Sequence, residues 1–489
     1  MSTHGLDTLT SAALLGTART EPDFAALHTH DAAAAIVAPP EHRLLGAAAL
    51  ERAFVAAGSV PATRPLPEPA ADDDRPLLPP AAGERLRALL TVRSDLIGEW
   101  LDAAQGFRAP HGIVVDLLER ASALDEQQRD KLLVLLGPRG RWLAQQNPRW
   151  SDLVAPDTSD PSVWQHGAAA ARRRWFRALR AQDPAAATES LAATWSTETA
   201  ASRQNLLVEL AAGAGAYDED LLETALDDRS RKVRDVALDL LRRLPASAFG
   251  RRMTERVRAW ARVHDGALEF TIPDVLDAEA IRDGLDDPLP RAAEAAHADR
   301  AYPAEKARDR ARVWALAASA PLSAWLAPGM RIGEVLELEV SEHLRDVLQH
   351  GRNSAVDHQR DAAWATALLA RDDRADSRVA AHAPRDVLVE YLRRMSAPQL
   401  LLVDDLAALP APWPADIARK VLTVLYTAAA PTSHSFRALT DLLARRAPFE
   451  LVDLFDDAAT RTDDLVRLNR FATAADILKL RRTLHEELS

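Results

Sequence analysis

The sequence predicts an all-α fold, built at least in part as a helical-repeat array: an α-solenoid with irregular connections. Three observations carry that expectation. Alanine and leucine dominate the 489 residues while Tyr, Phe and Gly are sparse, so strong helix formers prevail in a chain short of strand-favouring residues. Helical periodicity of apolar residues runs from Glu84 to the C-terminus, broken by short Gly, Pro and Asp turns. Between Asp183 and Leu244 the helices come in pairs of about 10–14 residues each, repeating every ~30–35 residues, as an α-solenoid requires when each pair buries one face against its neighbours.

In chain order, residues 1–58 read as an N-terminal helical block. Ser11 to Leu15 form an apolar run closed by Gly16, and a helix from about Glu41 to Ala57 ends at Gly58. Residues 59–83 carry prolines 61, 65, 67, 69, 76, 79 and 80 around Asp72-Asp73-Asp74. Clustered prolines forbid helix, so this is a linker or a long extended surface loop. A helical-repeat lobe follows over 84–262, then a partly irregular connection over 263–303 and a C-terminal helical lobe over 304–489. Within the connection, Leu268 to Ile272 alternate apolar and polar over too few residues to decide for a strand, and Pro273 stops them.

The best-marked helices lie in the first lobe. Asp183-Pro184 supplies an acidic cap and a first-turn proline. The next helix gathers Arg203, Leu206, Leu207 and Leu210 before Gly213-Ala214-Gly215, and a third carries Leu221, Leu222, Ala225 and Leu226. In a fourth, Val233, Val236, Ala237, Leu240, Leu241 and Leu244 trace one apolar stripe of a 3.6-residue helix. Weaker helix pairs read from Ala355 to Ala370 with Asp386 to Met395, and from Ala415 to Leu443.

Composition narrows function. Without cysteine there is no disulfide framework, thiolate zinc site, iron–sulfur cluster or cysteine nucleophile. The N-terminus lacks a signal-peptide pattern, and no stretch approaches ~20 uninterrupted apolar residues, so a cytoplasmic chain is expected, with no membrane association. The net charge is −12, which disfavours nucleic acid as a partner. Charge is uneven, however: Arg139 to Arg262 hold 20 basic against 16 acidic residues.

No catalytic constellation stands out. There is no Gly-x-Ser-x-Gly elbow, phosphate loop, complete dinucleotide fingerprint or His-Glu-x-x-His. His28 and His30 lie two apart with no evident third ligand, and His343 and His350 share a helix face. No metal site and no cofactor are expected. The most distinctive segment is Gly137 to Trp150, in which Gly137-Pro138 end one helix and Asn147-Pro148 stop the next. With the basic run at Arg172 it yields the candidate partner-binding residues Arg139, Arg141, Trp142, Trp150, Arg172, Arg173, Trp175 and Arg177. Arginines and indoles of this kind could bind an anion or a stacked ring. Alternatively the tryptophans are packing wedges, and the arginines solvated helix faces and helix-end caps. If the residues bind a partner, reversing charge at Arg172, Arg173 and Arg177 weakens the complex and leaves the melting temperature unchanged.

The stretch Leu226 to Arg234, followed by Ala237, Leu240 and Leu241, resembles a HEAT repeat. Together with Leu14 to Arg19, Gly137 to Trp150, Arg282 to Gly284 and Trp314 to Trp325, it resembles an uncharacterised bacterial, actinobacterial-type family of HEAT-like helical-repeat proteins. Genes of that family are often found beside those for a MoxR-type AAA+ ATPase, a von Willebrand A-domain protein and a SWIM zinc-finger protein. The resemblance implies a scaffold or adaptor with a protein partner, such as the ATPase or the A-domain protein, and brings no catalytic residues. The alternative is a nucleic-acid-binding protein resembling DNA glycosylases built on HEAT-like repeats.

Overall fold

A computed structural model describes residues 4–17, 23–58, 67–154, 156–288, 302–371, 376–400 and 406–489. Pro61 and Pro65 of the proline-rich stretch, and residues 289–301 of the expected connection, lie outside them. The described residues are mainly helical with one two-stranded sheet, so the chain is all-α. Two compact units result, Met1–Pro69 and Ala70–Ser489.

The first unit comprises helices His4–Leu15, His30–Ala34 and Pro40–Gly58. Its core is small: Leu9, Phe24, Leu27, Ala33 and Ala47.

The second unit opens on an extended strap, residues 70–79, stitched down where Leu78 N–H donates to the Arg108 carbonyl and Arg108 N–H to that of Pro76, each at 2.9 Å. The first helix then runs Pro80–Val92. It begins four residues before the apolar periodicity does, because Pro80 occupies the first position, where no N–H is needed. Further on, Asp183, Thr199, Ser247 and Ser433 cap the helices Pro184–Thr194, Ala200–Leu210, Ala248–Trp260 and His434–Arg446 with their side chains.

Two corrections to the sequence reading concern local chemistry. The undecided stretch near Leu268 is a β-hairpin, β1 Ala261–His264 with β2 Ala267–Phe270. Its turn, Asp265-Gly266, takes positive φ at both residues, the pattern of a type I′ hairpin. The single helix read from Ala355 to Ala370 is two, Glu342–Gln359 and Ala362–Arg371. Arg360 adopts the left-handed conformation (φ 52°) and Asp361 caps the new helix through Ala363 and Trp364 N–H.

Two cores hold this unit. One gathers side chains from Leu78 to Leu153 and takes in Leu484 and Leu488; the other extends from Trp164 to Leu478, and Ile477 touches both. Leu268 of the hairpin and Ala280 beyond it belong to the second core, so hydrophobic packing continues past residue 262. Helices Ala304–Ser319 and Glu342–Gln359 approach closely at Gly351, where a Cβ would lie 2.6 Å from Ala317 Cβ and 2.8 Å from the Trp314 carbonyl oxygen.

Polar groups inside the unit follow one pattern. The last carbonyls of a helix have no partner within it, and a cation from a neighbouring helix takes them. Arg180 donates to Leu210, Ala212 and Gly213 at the end of Ala200–Leu210. Arg394 donates to Leu369 and Ala370, Lys420 to Leu392, Arg393 and Met395, and Arg481 to Ala444 and Ala447. Arg180 is also a bidentate partner of Asp218, at 2.6 and 2.8 Å. Asp218, wholly buried, further accepts from Thr188 Oγ1 and Gly215 N–H.

Arg352 breaks the pattern. It is buried between Trp325 and Trp364, at 5.0 and 6.0 Å from their ring centroids, and its Nε and Nη2 have no hydrogen-bond partner. Burial, with the nearby Arg371 charge, pushes it down to about 9. The same substitution should therefore act oppositely at the two arginines. Arg180→Met strands the buried Asp218 carboxylate and should cost roughly 3–5 kcal/mol. Arg352→Met removes a charge whose desolvation no carboxylate offsets, and should raise the thermal midpoint of the purified protein. A lowered midpoint would show that the two indole contacts outweigh desolvation.

Candidate functional site

The eight residues singled out in the sequence fall into two groups. The first stands on helix Ala169–Gln182. Trp175 is buried in the larger core and stacks on Trp164 with ring centroids 5.6 Å apart. It is a packing residue, which corrects its assignment to a partner surface. The arginines around it are engaged internally. Arg172 pairs with the Glu198 carboxylate, donates to the Trp164 carbonyl at 2.7 Å and lies 4.5 Å from that indole's centroid. Arg173 and Arg177 both hold Glu209, and Arg177 also reaches Glu126. The hydrogen bond from Arg172 keeps the Glu198 carboxyl below its ordinary value. Burial alone would raise Glu209, but hydrogen bonds from Arg177 and Arg173 outweigh it and hold this carboxyl low as well.

The second group surrounds a break in helix Glu126–Gln146. Gly137 takes φ 64°, ψ −160°, and Pro138 restarts the helix. A Cβ on Gly137 would lie 2.3 Å from Asp73 Oδ2, so glycine is required twice: for the left-handed turn and for the closeness of the strap. Arg139 and Arg141 are exposed, without an ion pair among the described residues, while Trp142 and Trp150 are half-buried. Trp150 packs on the smaller core.

The strap meets this break through Arg75. Its guanidinium donates to Asp73 at 2.9 and 2.6 Å and to the carbonyls of Phe107 and Val134, each at 2.9 Å. The hydrogen bonds from Arg75 hold the Asp73 carboxyl below its usual value. The Arg75 carbonyl accepts from Arg108 Nε at 2.7 Å. Two stretches that look unrelated in sequence, the aspartate triplet and the Gly-Pro break, thus form the walls of one cleft of about 320 Å³. Apart from the prolines and glycine themselves, nothing in the sequence signals their meeting, because Arg75 acts over 32 and 59 residues of separation.

The histidines resolve differently. His28, for which the sequence offers no third metal ligand, places Nδ1 2.5 Å from the buried Glu51 carboxylate on helix Pro40–Gly58, and its ring stacks on Phe54. Burial alone would raise Glu51, but hydrogen bonds from His28 and Thr29 hold it at about 2. His343 bonds Ser341 Oγ and His350 the Asp346 carbonyl. Among the described residues no group of three acidic or imidazole side chains could hold a metal ion, and no helix is long and apolar enough to cross a membrane.

A model for a family of unknown function, DUF5691, matches residues 8–488, and the chain belongs to that family. No curated protein and no solved structure matches it.

Because Arg173 and Arg177 hold a buried glutamate, reversing their charge cannot leave stability untouched, contrary to the expectation from sequence. Arg173→Glu with Arg177→Glu sets three carboxylates together and should lower the thermal midpoint. Glu198 and Glu209 titrate below their ordinary value of 4.5 in the folded chain. Their contribution is therefore full above that value and lost as pH falls through the lowered folded values. Urea unfolding from pH 7 down to pH 3 should accordingly show a shallower loss of stability in Glu209→Gln than in the parent protein.

Proposed function

We propose that the chain is a non-catalytic scaffold or adaptor, its larger unit built in part as a HEAT-like α-solenoid and its smaller unit the part that grips a protein partner. The helix contacts support the repeat reading. Ala169–Gln182 packs on Pro184–Thr194 and on Ala200–Leu210, and Ala200–Leu210 packs in turn on Arg231–Leu241, which also covers Glu219–Leu226. Each helix thus meets its neighbour or the next but one, as stacked pairs do.

The observation that carries the adaptor reading is the surface of the first unit. Leu14, Leu15, Val37, Leu45, Leu50 and Phe54 are exposed there, Leu14 at 84% and Leu45 at 64%. Beneath them, among the described residues, the buried apolar side chains are Leu9, Ala12, Phe24, Leu27, Ala33, Leu44 and Ala47. Nearly as many apolar side chains face outward as are buried in this unit, and such a surface marks a protein-binding site. Candidate partners follow from the family resemblance: the MoxR-type AAA+ ATPase or the A-domain protein. The nucleic-acid alternative draws no support from the arginine run, since Arg172, Arg173 and Arg177 are matched to Glu198, Glu209 and Glu126.

Affinity capture of the tagged chain from its own cells, with nuclease treatment and mass spectrometry, tests the reading. Stoichiometric, nuclease-resistant recovery of the ATPase or A-domain protein is expected. Leu14→Glu with Leu45→Glu should abolish it without shifting the thermal midpoint. Recovery of nucleic acid alone, or capture indifferent to both substitutions, would overturn it.

A further inference from the structure

We propose that the cleft between the strap and the Gly137 break binds a small zwitterion, specifically an aliphatic α-amino acid. At about 320 Å³ it lies at the small end of ligand pockets. Ala109, Val114 and Leu136, all buried, contribute the apolar part of its lining.

The rim carries both signs of charge. Asp72 and Asp74 line it from the strap, and Arg139 lines it opposite, with His111 beside it. None of these four side chains has a hydrogen bond or ion pair among the described residues. Acid and base therefore line one hollow without reaching each other. Buried arginines and carboxylates of this unit do close on one another, as at Arg180–Asp218 (2.6 Å) and Arg252–Asp283 (2.7 Å). A ligand bearing an ammonium and a carboxylate one carbon apart would satisfy both sides of the rim. A simple anion would meet Asp72 and Asp74, and a simple cation would meet Arg139, so each alone is disfavoured.

Two further features favour a carboxylate on the Arg139 side. His111 stands at the start of helix His111–Ala121, and Arg139 is in the first turn after the break. There the unpaired N–H groups add the positive end of each helix dipole. The acidic wall is fixed, because Arg75 ties the strap to the carbonyls of Phe107 and Val134 while Asp73, spent on Arg75, leaves its two neighbours unpaired. The site is preorganised on both sides, which lowers the cost of ordering it around a ligand.

The test is calorimetric titration of the full chain at low salt with L-leucine and L-valine. 3-Methylbutylamine and 4-methylpentanoate, which keep the leucine side chain but carry a single charge, serve as controls. Saturable binding of an amino acid is expected, with each single-charge analogue weaker by roughly tenfold or more. Asp74→Asn and Arg139→Gln should each weaken binding by a similar factor and leave the ligand-free thermal midpoint in place, since neither side chain has an internal partner. Three results would overturn the proposal: no binding at millimolar amino acid, equal binding of the analogues, or binding indifferent to both substitutions. None of them bears on the adaptor reading, which rests on the other unit.

Discussion

The constraint on which the larger unit depends is the satisfaction of helix ends inside a packed interior. Every helix leaves carbonyls without partners at its C-terminus, and an all-α chain with many short helices multiplies that problem. This protein meets it with long cationic side chains delivered from a neighbouring helix. Arg180 shows the arrangement in full: one guanidinium closes the end of Ala200–Leu210 and at the same time neutralises the buried Asp218. Arg394, Lys420 and Arg481 repeat the first half of that arrangement farther along the chain. Each such contact fixes the distance and direction between two helices. Packing geometry and polar satisfaction are thus set by the same side chain.

The same device joins the ends of the unit. Arg481 and His485 on the C-terminal helix Leu465–Glu486 both reach Glu99, and Arg85 pairs with Glu487. Leu484 and Leu488 enter the core built by residues 78–153. A stack of helix pairs in which each contacts only its neighbours would leave its terminal helices apart. Here the last helix touches the first core as well as the second, so the packing of each helix on its neighbours between Ala169 and Leu241 is one part of a unit whose two ends are bound together.

What was legible in the sequence was whatever local chemistry determines. The Asp183-Pro184 start and the Gly137-Pro138 break stand where their residues place them, and the stripe read from Val233 to Leu244 lies on helix Arg231–Leu241 except for Leu244, which follows its end. The hairpin is not decided by its sequence: Asp265-Gly266 is a strong turn signal, but the apolar–polar alternation beside it is too short to declare a strand. What could not be read was set by distant side chains. Arg172, Arg173 and Arg177 look like a basic surface until Glu198 and Glu209, 26 to 36 residues on, come to meet them. His28 looks isolated until Glu51 arrives from the next long helix. Net charge over a window says nothing about pairing, and pairing decides whether an arginine is structural or available.

That distinction reorganises the search for function. In a chain with 60 basic and 72 acidic residues, charge density is a poor guide to a binding surface: the dense arginines of helix Ala169–Gln182 are matched internally. The informative residues are those that the packing scheme leaves over. Arg352 is one, buried between two indoles with no carboxylate. Asp72, Asp74 and Arg139 are others, at the rim of one cleft beside a strap in which only Asp73 and Arg75 pair with each other. The aspartate triplet and the Gly-Pro break matter less for their composition than for standing together, unsatisfied, on a rigid frame.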